Sequence, residues 1–132
     1  MTESSTNRLT HDELRQFTGD IVRYRTINRF VVYTPGVKHL AERAGAYWLI
    51  DAIASYFTGG AMKFSDRRLQ TLQFWRLDVH DDRSATLAAR ADSGAKAYVT
   101  QQIEYTDFPL DSIDVWAGSD GQRWTLYLPS EH

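Results

Sequence analysis

The apolar residues fall into two regimes along the chain. Up to Phe57 they recur at helical spacing, and from Thr71 to Leu128 they alternate with a period of two. In the first regime, Thr10 and Glu13 fit a capping box, with Leu9 and Leu14 at the staple positions around it. They open a short helix that Gly19 stops after Phe17. Extended segments are expected near 22–25 and 30–33, where β-branched and aromatic residues gather. Thr34-Pro35 then pairs a good N-cap with a proline that needs no donor at the first helical position. Val37, Leu40, Ala41 and Ala44 face inward on that helix, while Lys38, Glu42 and Arg43 face outward. Gly45 ends it. From Ala46 to Phe57 only Asp51 and Ser55 are clearly polar, which predicts a central buried helix closed by Gly59-Gly60. Residues 61–70 read as a loop carrying Lys63, Arg67 and Arg68.

In the second regime, Trp75, Leu77 and Val79 alternate with Phe74, Arg76 and Asp78. The turn His80-Asp81-Asp82-Arg83 leads to Leu87, Ala89 and Ala91, and Asp92-Ser93-Gly94 to Val99, Gln101 and Ile103. After Phe108-Pro109 come Ile113, Val115 and Ala117, and after Ser119-Asp120-Gly121 come Trp124, Leu126 and Leu128. These are about five strands joined by short turns, the pattern of an antiparallel meander. The expected fold is α+β, with N-terminal helices packed on one face of an approximately five-stranded antiparallel meander sheet. A disordered tail, 1–8, precedes a single domain, 9–132. Gln101 is the one polar residue in the inward row.

Composition narrows the function classes. The chain has 132 residues, is 42% hydrophobic and 24% charged, and contains no cysteine. A disulfide framework, a thiolate nucleophile and a Cys-zinc site are therefore excluded. No apolar run approaches the roughly 20 residues that span a bilayer, and Met1–Asn7 is polar, so a cytoplasmic location is expected. Charge is divided unevenly. Residues 1–68 hold ten basic and seven acidic groups, a net +3, and residues 69–132 hold five and ten, a net −5. Twelve of the fifteen basic residues are arginine, whose planar fork suits carboxylates, phosphates and aromatic faces.

Chemistry-bearing motifs are few. His80 with Asp78, Asp81 and Asp82 is the densest set of metal-ligand types, but a charged hairpin turn accounts for the same residues, and no metal or other cofactor is expected. His11, His39 and His132 are scattered. There is no H-x-x-x-H, nucleophile elbow, P-loop or dinucleotide fingerprint. Asp51, following Tyr47 and Trp48, is a candidate centre for a small enzyme or ligand-binding site, since burial would raise its pKa, but it more simply marks the helix's solvent edge or pairs with an arginine such as Arg25. Arg23, Arg25 and Arg29 are interleaved with Tyr24 and Phe30, a pattern that can hold single-stranded nucleic acid, although the net charge of −2 opposes it. By strand parity the outer sheet face presents Arg76, Arg90, Tyr98, Trp116 and Tyr127, with Phe74, Thr100 and Gln102. Arginine, tyrosine and tryptophan are the types that dominate interface hot spots.

A resemblance attaches to Tyr33-Thr34-Pro35-Gly36-Val37 and to the run Leu40-Ala41-Glu42-Arg43-Ala44-Gly45-Ala46-Tyr47-Trp48-Leu49-Ile50-Asp51-Ala52-Ile53-Ala54. It continues in Phe17-Thr18-Gly19, in Glu104-Tyr105-Thr106-Asp107-Phe108-Pro109-Leu110 and in Leu128-Pro129-Ser130-Glu131. On these segments the chain resembles a bacterial family, the domain of unknown function 6876. The family supplies no catalytic residues to carry over. The resemblance implies a plasmid or other mobile-element setting, in which element and host are in conflict. Gly45-Ala46-Tyr47-Trp48 is also loosely similar to plasmid antirestriction proteins of the ArdB/KlcA type. The expected function is a non-enzymatic protein-binding module, in its sharper form an inhibitor of a host defence complex of the CRISPR or restriction kind. A protein partner or a homodimer is expected, and no membrane. The alternatives are the Asp51/Tyr47/Trp48 site and an accessory nucleic-acid binder using Arg23, Arg25 and Arg29.

Overall fold

The computed structural model describes residues 8–19, 22–57, 72–92 and 94–132. The expected tail apart from Arg8, the Gly59-Gly60 stop and the 61–70 loop lie outside the described residues. Thr10 caps the first helical turn, α1 (His11–Leu14), by accepting from the Glu13 N–H at 3.1 Å. The other half of the expected capping box does not form. The Glu13 carboxylate instead accepts from Arg43 Nε and Nη2, both at 2.9 Å, and also meets His39 Nε2. It thereby fastens α1 to the second helix. Leu9 and Leu14 are buried, as staple residues should be.

Two short strands follow, β1 (Tyr24–Arg25) and β2 (Val31–Tyr33), then α2 (Pro35–Ala44). The hydroxyl of Thr34 caps α2 through the Val37 N–H, and Gly45 closes it in the left-handed region at φ 61°. Helix α3 (Tyr47–Ala54) buries Leu49, Ile50, Ile53 and Ala54 but exposes Tyr47 and Asp51. The central helix is thus buried along one stripe, as an eight-residue helix against a sheet requires, and Asp51 lies off that stripe on the solvent edge expected for it.

The remaining strands are β3 (Leu72–Val79), β4 (Ala85–Arg90), β5 (Val99–Ile103), β6 (Ser112–Ser119) and β7 (Trp124–Tyr127), with a terminal 3-10 turn at Pro129–Glu131. The sheet has seven strands in the order β1-β2-β7-β6-β3-β4-β5. All neighbours are antiparallel except β2 and β7, which run parallel. The five-stranded antiparallel meander is thus corrected to a mixed sheet, α+β in class. After β5 the chain does not turn into a neighbour. It crosses back, through residues 104–111, to place β6 beside β3, so β3 to β6 form a Greek key. Arg83 anchors this crossover. Its Nε donates to Thr106 O at 3.1 Å and its Nη2 to Phe108 O at 2.7 Å, while Phe108 is fully buried beneath. Arg83 has φ 69°, a left-handed conformation unfavourable for a non-glycine residue, and these two side-chain bonds offset it.

The alternation expected along the strands is observed. Trp75, Leu77, Val115, Leu126 and Leu128 are buried in one cluster with Val37, Leu49 and Ile53 of the helices, and Trp48, Val99 and Ile103 pack half-buried against it. The inward polar residues have specific partners. Gln101 accepts from Tyr56 OH at 2.8 Å, and fully buried Gln73 accepts from Trp75 Nε1 at 2.9 Å.

The C-terminus locks the parallel junction. Glu131 Oε1 accepts from Thr34 Oγ1 at 2.6 Å and from the Leu128 N–H at 2.9 Å, and Oε2 accepts from the Gly36 N–H at 3.2 Å. The carboxylate sits against the N-terminus of α2, where anions are stabilised. A β-carbon at Gly36 would lie 2.6 Å from Glu131 Oε1, so glycine is what admits the carboxylate. Ser130 Oγ donates to Phe17 O at 2.6 Å and binds the first helical turn to the same knot. His80 lies in the β3–β4 turn, as expected. Its N–H donates to Ser84 O at 2.8 Å and its Nε2 meets Thr86 Oγ1 at 2.9 Å.

Four outcomes are expected. Glu131→Ala should lose about 2–3 kcal/mol of unfolding free energy in urea, the worth of hydrogen bonds to a charged group. Gly36→Ala should destabilise the wild type but stabilise the Glu131→Ala variant by up to about 1 kcal/mol, because alanine is the better helix former once the carboxylate is gone. Equal effects in both backgrounds would remove the clamp from the account. Ile53→Ala should cost about 2–5 kcal/mol. Finally, elemental analysis after zinc or manganese addition and desalting should find no stoichiometric metal; one equivalent, lost in His80→Ala, would contradict the turn reading.

Candidate functional site

The outer face of the sheet is built by register. Tyr127 pairs with Trp116, Trp116 with Phe74 and Phe74 with Arg90, so a row of large side chains crosses β7, β6, β3 and β4. Tyr98, just before β5, donates its N–H to Ala89 O at 2.9 Å and extends the row at the far edge. Trp116 is the hub. Phe74 meets it edge-on at 4.9 Å between ring centroids, Tyr127 at 6.2 Å and the terminal His132 at 5.3 Å. The His132 ring stacks on Tyr127, and its Nδ1 lies 2.8 Å from the tyrosine hydroxyl. Edge-to-face packing of this kind aligns the positive rim of one ring with the negative face of another. Burial raises the Tyr127 hydroxyl above its ordinary pKa. Gly118, beside Trp116 on β6, leaves room for the Tyr127 ring: a β-carbon there would stand 3.3 Å from Tyr127 Cε1.

Next to the aromatic row lies a charged one. Arg76 Nε donates to Asp78 at 2.9 Å, and its Nη1 donates to both Asp114 oxygens, at 3.0 and 3.2 Å. These carboxylates, Asp78 first, raise the guanidinium's pKa. The side chains of Arg76, Asp78 and Asp114 are 43%, 47% and 41% exposed, so the network faces solvent. Arg90 forms no ion pair or side-chain hydrogen bond among the described residues. Phe74, Trp116, Arg76, Arg90, Asp114 and Asp92 contribute to an open depression of about 720 Å³.

All five residues expected on this face are therefore there. The structure also brings part of the second candidate group to it. Arg25 pairs with Val32, Val32 with Thr125 and Thr125 with Gly118, so Arg25 occupies the row next to Tyr127 and Trp116. Arg23 shares a depression with Tyr127 and His132. Arg29 stands in the β1–β2 loop with its guanidinium 4.9 Å above the Phe30 ring. The Asp51 group is separate: Asp51 and Tyr47 are exposed on α3, and Trp48 is half-buried against the core. Sequence reasoning missed His132, because a terminal residue carries no periodicity. It also missed Asp114 as the partner of Arg76, since that pairing depends on β6 lying beside β3. Among the described residues no group of three or more His, Asp and Glu side chains is placed to hold a metal ion, and no helix is long and apolar enough to cross a membrane.

A comparison with curated proteins gave no match. Among solved structures, a protein of unknown function from Enterococcus faecalis is similar to this chain at 20% identity, over 81% of this chain and 93% of that one, with a TM-score of 0.49. A family model matches from Arg8 to His132, spanning the capped first turn, the Thr34–Glu131 clamp and the whole sheet; over residues 8–132 the chain belongs to the family of unknown function DUF6876.

Proposed function

We propose that this protein is a non-enzymatic binding module that engages a partner protein through the outer face of its sheet. The observation that carries the reading is the row of Tyr127, Trp116, Phe74, Arg90 and Tyr98, the last exposed and the other four half-buried, bordered by the Arg76–Asp114 network. Rings held on a sheet lose little further conformational freedom on binding, so more of their contact energy is retained. Arg90 offers directional donors that no carboxylate of the described chain takes up. Tyr98 is 43% exposed, a large surface for a partner to desolvate. The mobile-element setting implied by the resemblance makes a host defence complex, such as a CRISPR effector or a restriction enzyme, the first partner class to test.

The experiment is affinity capture from a host lysate with mass spectrometry, followed by titration of the captured protein. Trp116→Ala and Tyr98→Ala should each weaken that complex at least about tenfold, equivalent to about 1.4 kcal/mol. Arg90→Ala, which removes a cation without disturbing the ring packing, should weaken it as well. Asp51→Asn should bind as the wild type does. Normal binding by the face variants together with loss in Asp51→Asn would replace this reading with the ligand site on α3.

A further inference from the structure

At the β1 end of the sheet, the tip of the β1–β2 hairpin faces the β6–β7 turn. Between them lies a concavity of about 480 Å³ whose lining includes Arg25, Arg29, Arg123, Ile27, Phe30 and Gln122. Among the described residues no carboxylate lines it. None of the three guanidiniums forms an ion pair among the described residues. Gathering three guanidiniums with no ion-paired carboxylate among the described residues disfavours the folded state on its own and favours any anion that enters.

Both walls are fixed by the chain's own hydrogen bonds. In the hairpin, the Asn28 side chain donates to Ala54 O at 3.0 Å and to Phe57 O at 2.7 Å, pinning the loop to the end of α3. Thr26 Oγ1 accepts from the Asn28 N–H at 2.9 Å, and Asn28 Oδ1 accepts from the Phe30 N–H at 2.9 Å. Ile27, between these anchored residues, is held 88% exposed. In the opposite turn, Asp120 Oδ1 accepts from the backbone N–H groups of Gln122 and Arg123 at 2.9 and 2.8 Å. Those bonds, with a smaller contribution from the Arg123 charge, hold the Asp120 carboxyl below its ordinary range. The arginines are thus presented from rigid loops, which lowers the ordering cost of binding.

We propose that this concavity binds an acidic segment of a partner protein, its carboxylates meeting Arg25, Arg29 and Arg123 and an apolar side chain packing on Ile27. The proposal rests on the protein-binding reading above but uses the β1 end of the sheet, beyond the aromatic row. A protein segment fits better than single-stranded nucleic acid. Base binding relies on open aromatic faces, whereas here Phe30 is half-buried with Arg29 over its ring and the most exposed apolar group is aliphatic. Guanidinium forks match carboxylates in bidentate geometry.

The test is fluorescence anisotropy at low salt on the full chain. The probes are a labelled peptide of sequence Glu-Asp-Leu-Glu-Asp-Leu-Glu, its lysine-for-acid counterpart and a labelled oligothymidine strand. The acidic peptide should bind and the lysine peptide should not. The combined variant Arg25→Gln, Arg29→Gln, Arg123→Gln should weaken binding at least about tenfold. Ile27→Ser should weaken it at least about threefold, and Trp116→Ala should leave it unchanged. Single Arg29→Gln and Arg123→Gln variants serve if the combined variant unfolds. Failure of the acidic peptide to bind, binding indifferent to the arginine variants, or tighter binding of oligothymidine through the same arginines would overturn the proposal. Loss of host-partner capture in Trp116→Ala alongside a negative peptide titration would end this proposal and leave the outer-face reading standing.

Discussion

The Glu131 carboxylate closes the parallel junction between β2 and β7. Strand β2 must lie beside β7, though more than ninety residues separate Thr34 from Glu131, 97 positions apart. Backbone bonds make part of the seam: Trp124 N–H donates to Phe30 O at 2.7 Å and Thr34 N–H to Leu126 O at 3.1 Å. Glu131 completes it by accepting from the cap residue of α2, from the first turn of α2 and from the end of β7. Gly36 and Ser130 complete the same junction, one by leaving space and the other by binding α1. The segments Phe17-Thr18-Gly19, Thr34-Pro35-Gly36 and Leu128-Pro129-Ser130-Glu131, which carry the family resemblance, meet here. A fourth, Glu104 to Leu110, forms the crossover that Arg83 holds.

That division of labour bears on function. Charged groups inside the scaffold are paired: Glu13 with Arg43 and His39, Glu131 with the α2 N-terminus, Arg83 with crossover carbonyls. Charged groups on the outer face and at the β1 end are paired incompletely. Arg76 is matched by Asp78 and Asp114, while Arg90, Arg25 and Arg29 form no ion pair among the described residues. A folded chain gains little from such arginines, and a partner that supplies carboxylates or carbonyls gains more.

Much of this was legible in the sequence because side-chain parity is local. Trp75 and Leu77 had to face opposite to Phe74 and Arg76 whatever the neighbouring strands were, so the composition of the outer face could be read directly. The Thr10 and Thr34 caps and the Gly45 stop were legible for the same reason. Strand order was not. The crossover after Ile103 and the β2–β7 pairing are set by contacts between residues far apart, and those decide that Asp114 meets Arg76 and that Arg25 shares a face with Trp116. Asp51 and Ser55, the polar pair in an otherwise apolar run, were legible as the solvent edge of α3, since a short helix on a sheet leaves one side wet.

Hydroxyl-radical footprinting of the chain, alone and bound to its captured partner, separates the sheet face from α3, because it reads side chains in place without substitution. The account predicts that oxidation of Tyr98, Trp116 and Tyr127 falls several-fold on binding, while Tyr47 on α3 and the 70% exposed Tyr105 of the crossover stay as reactive as in the free chain. Protection of Tyr47 and Trp48 with the sheet-face residues unchanged would contradict it.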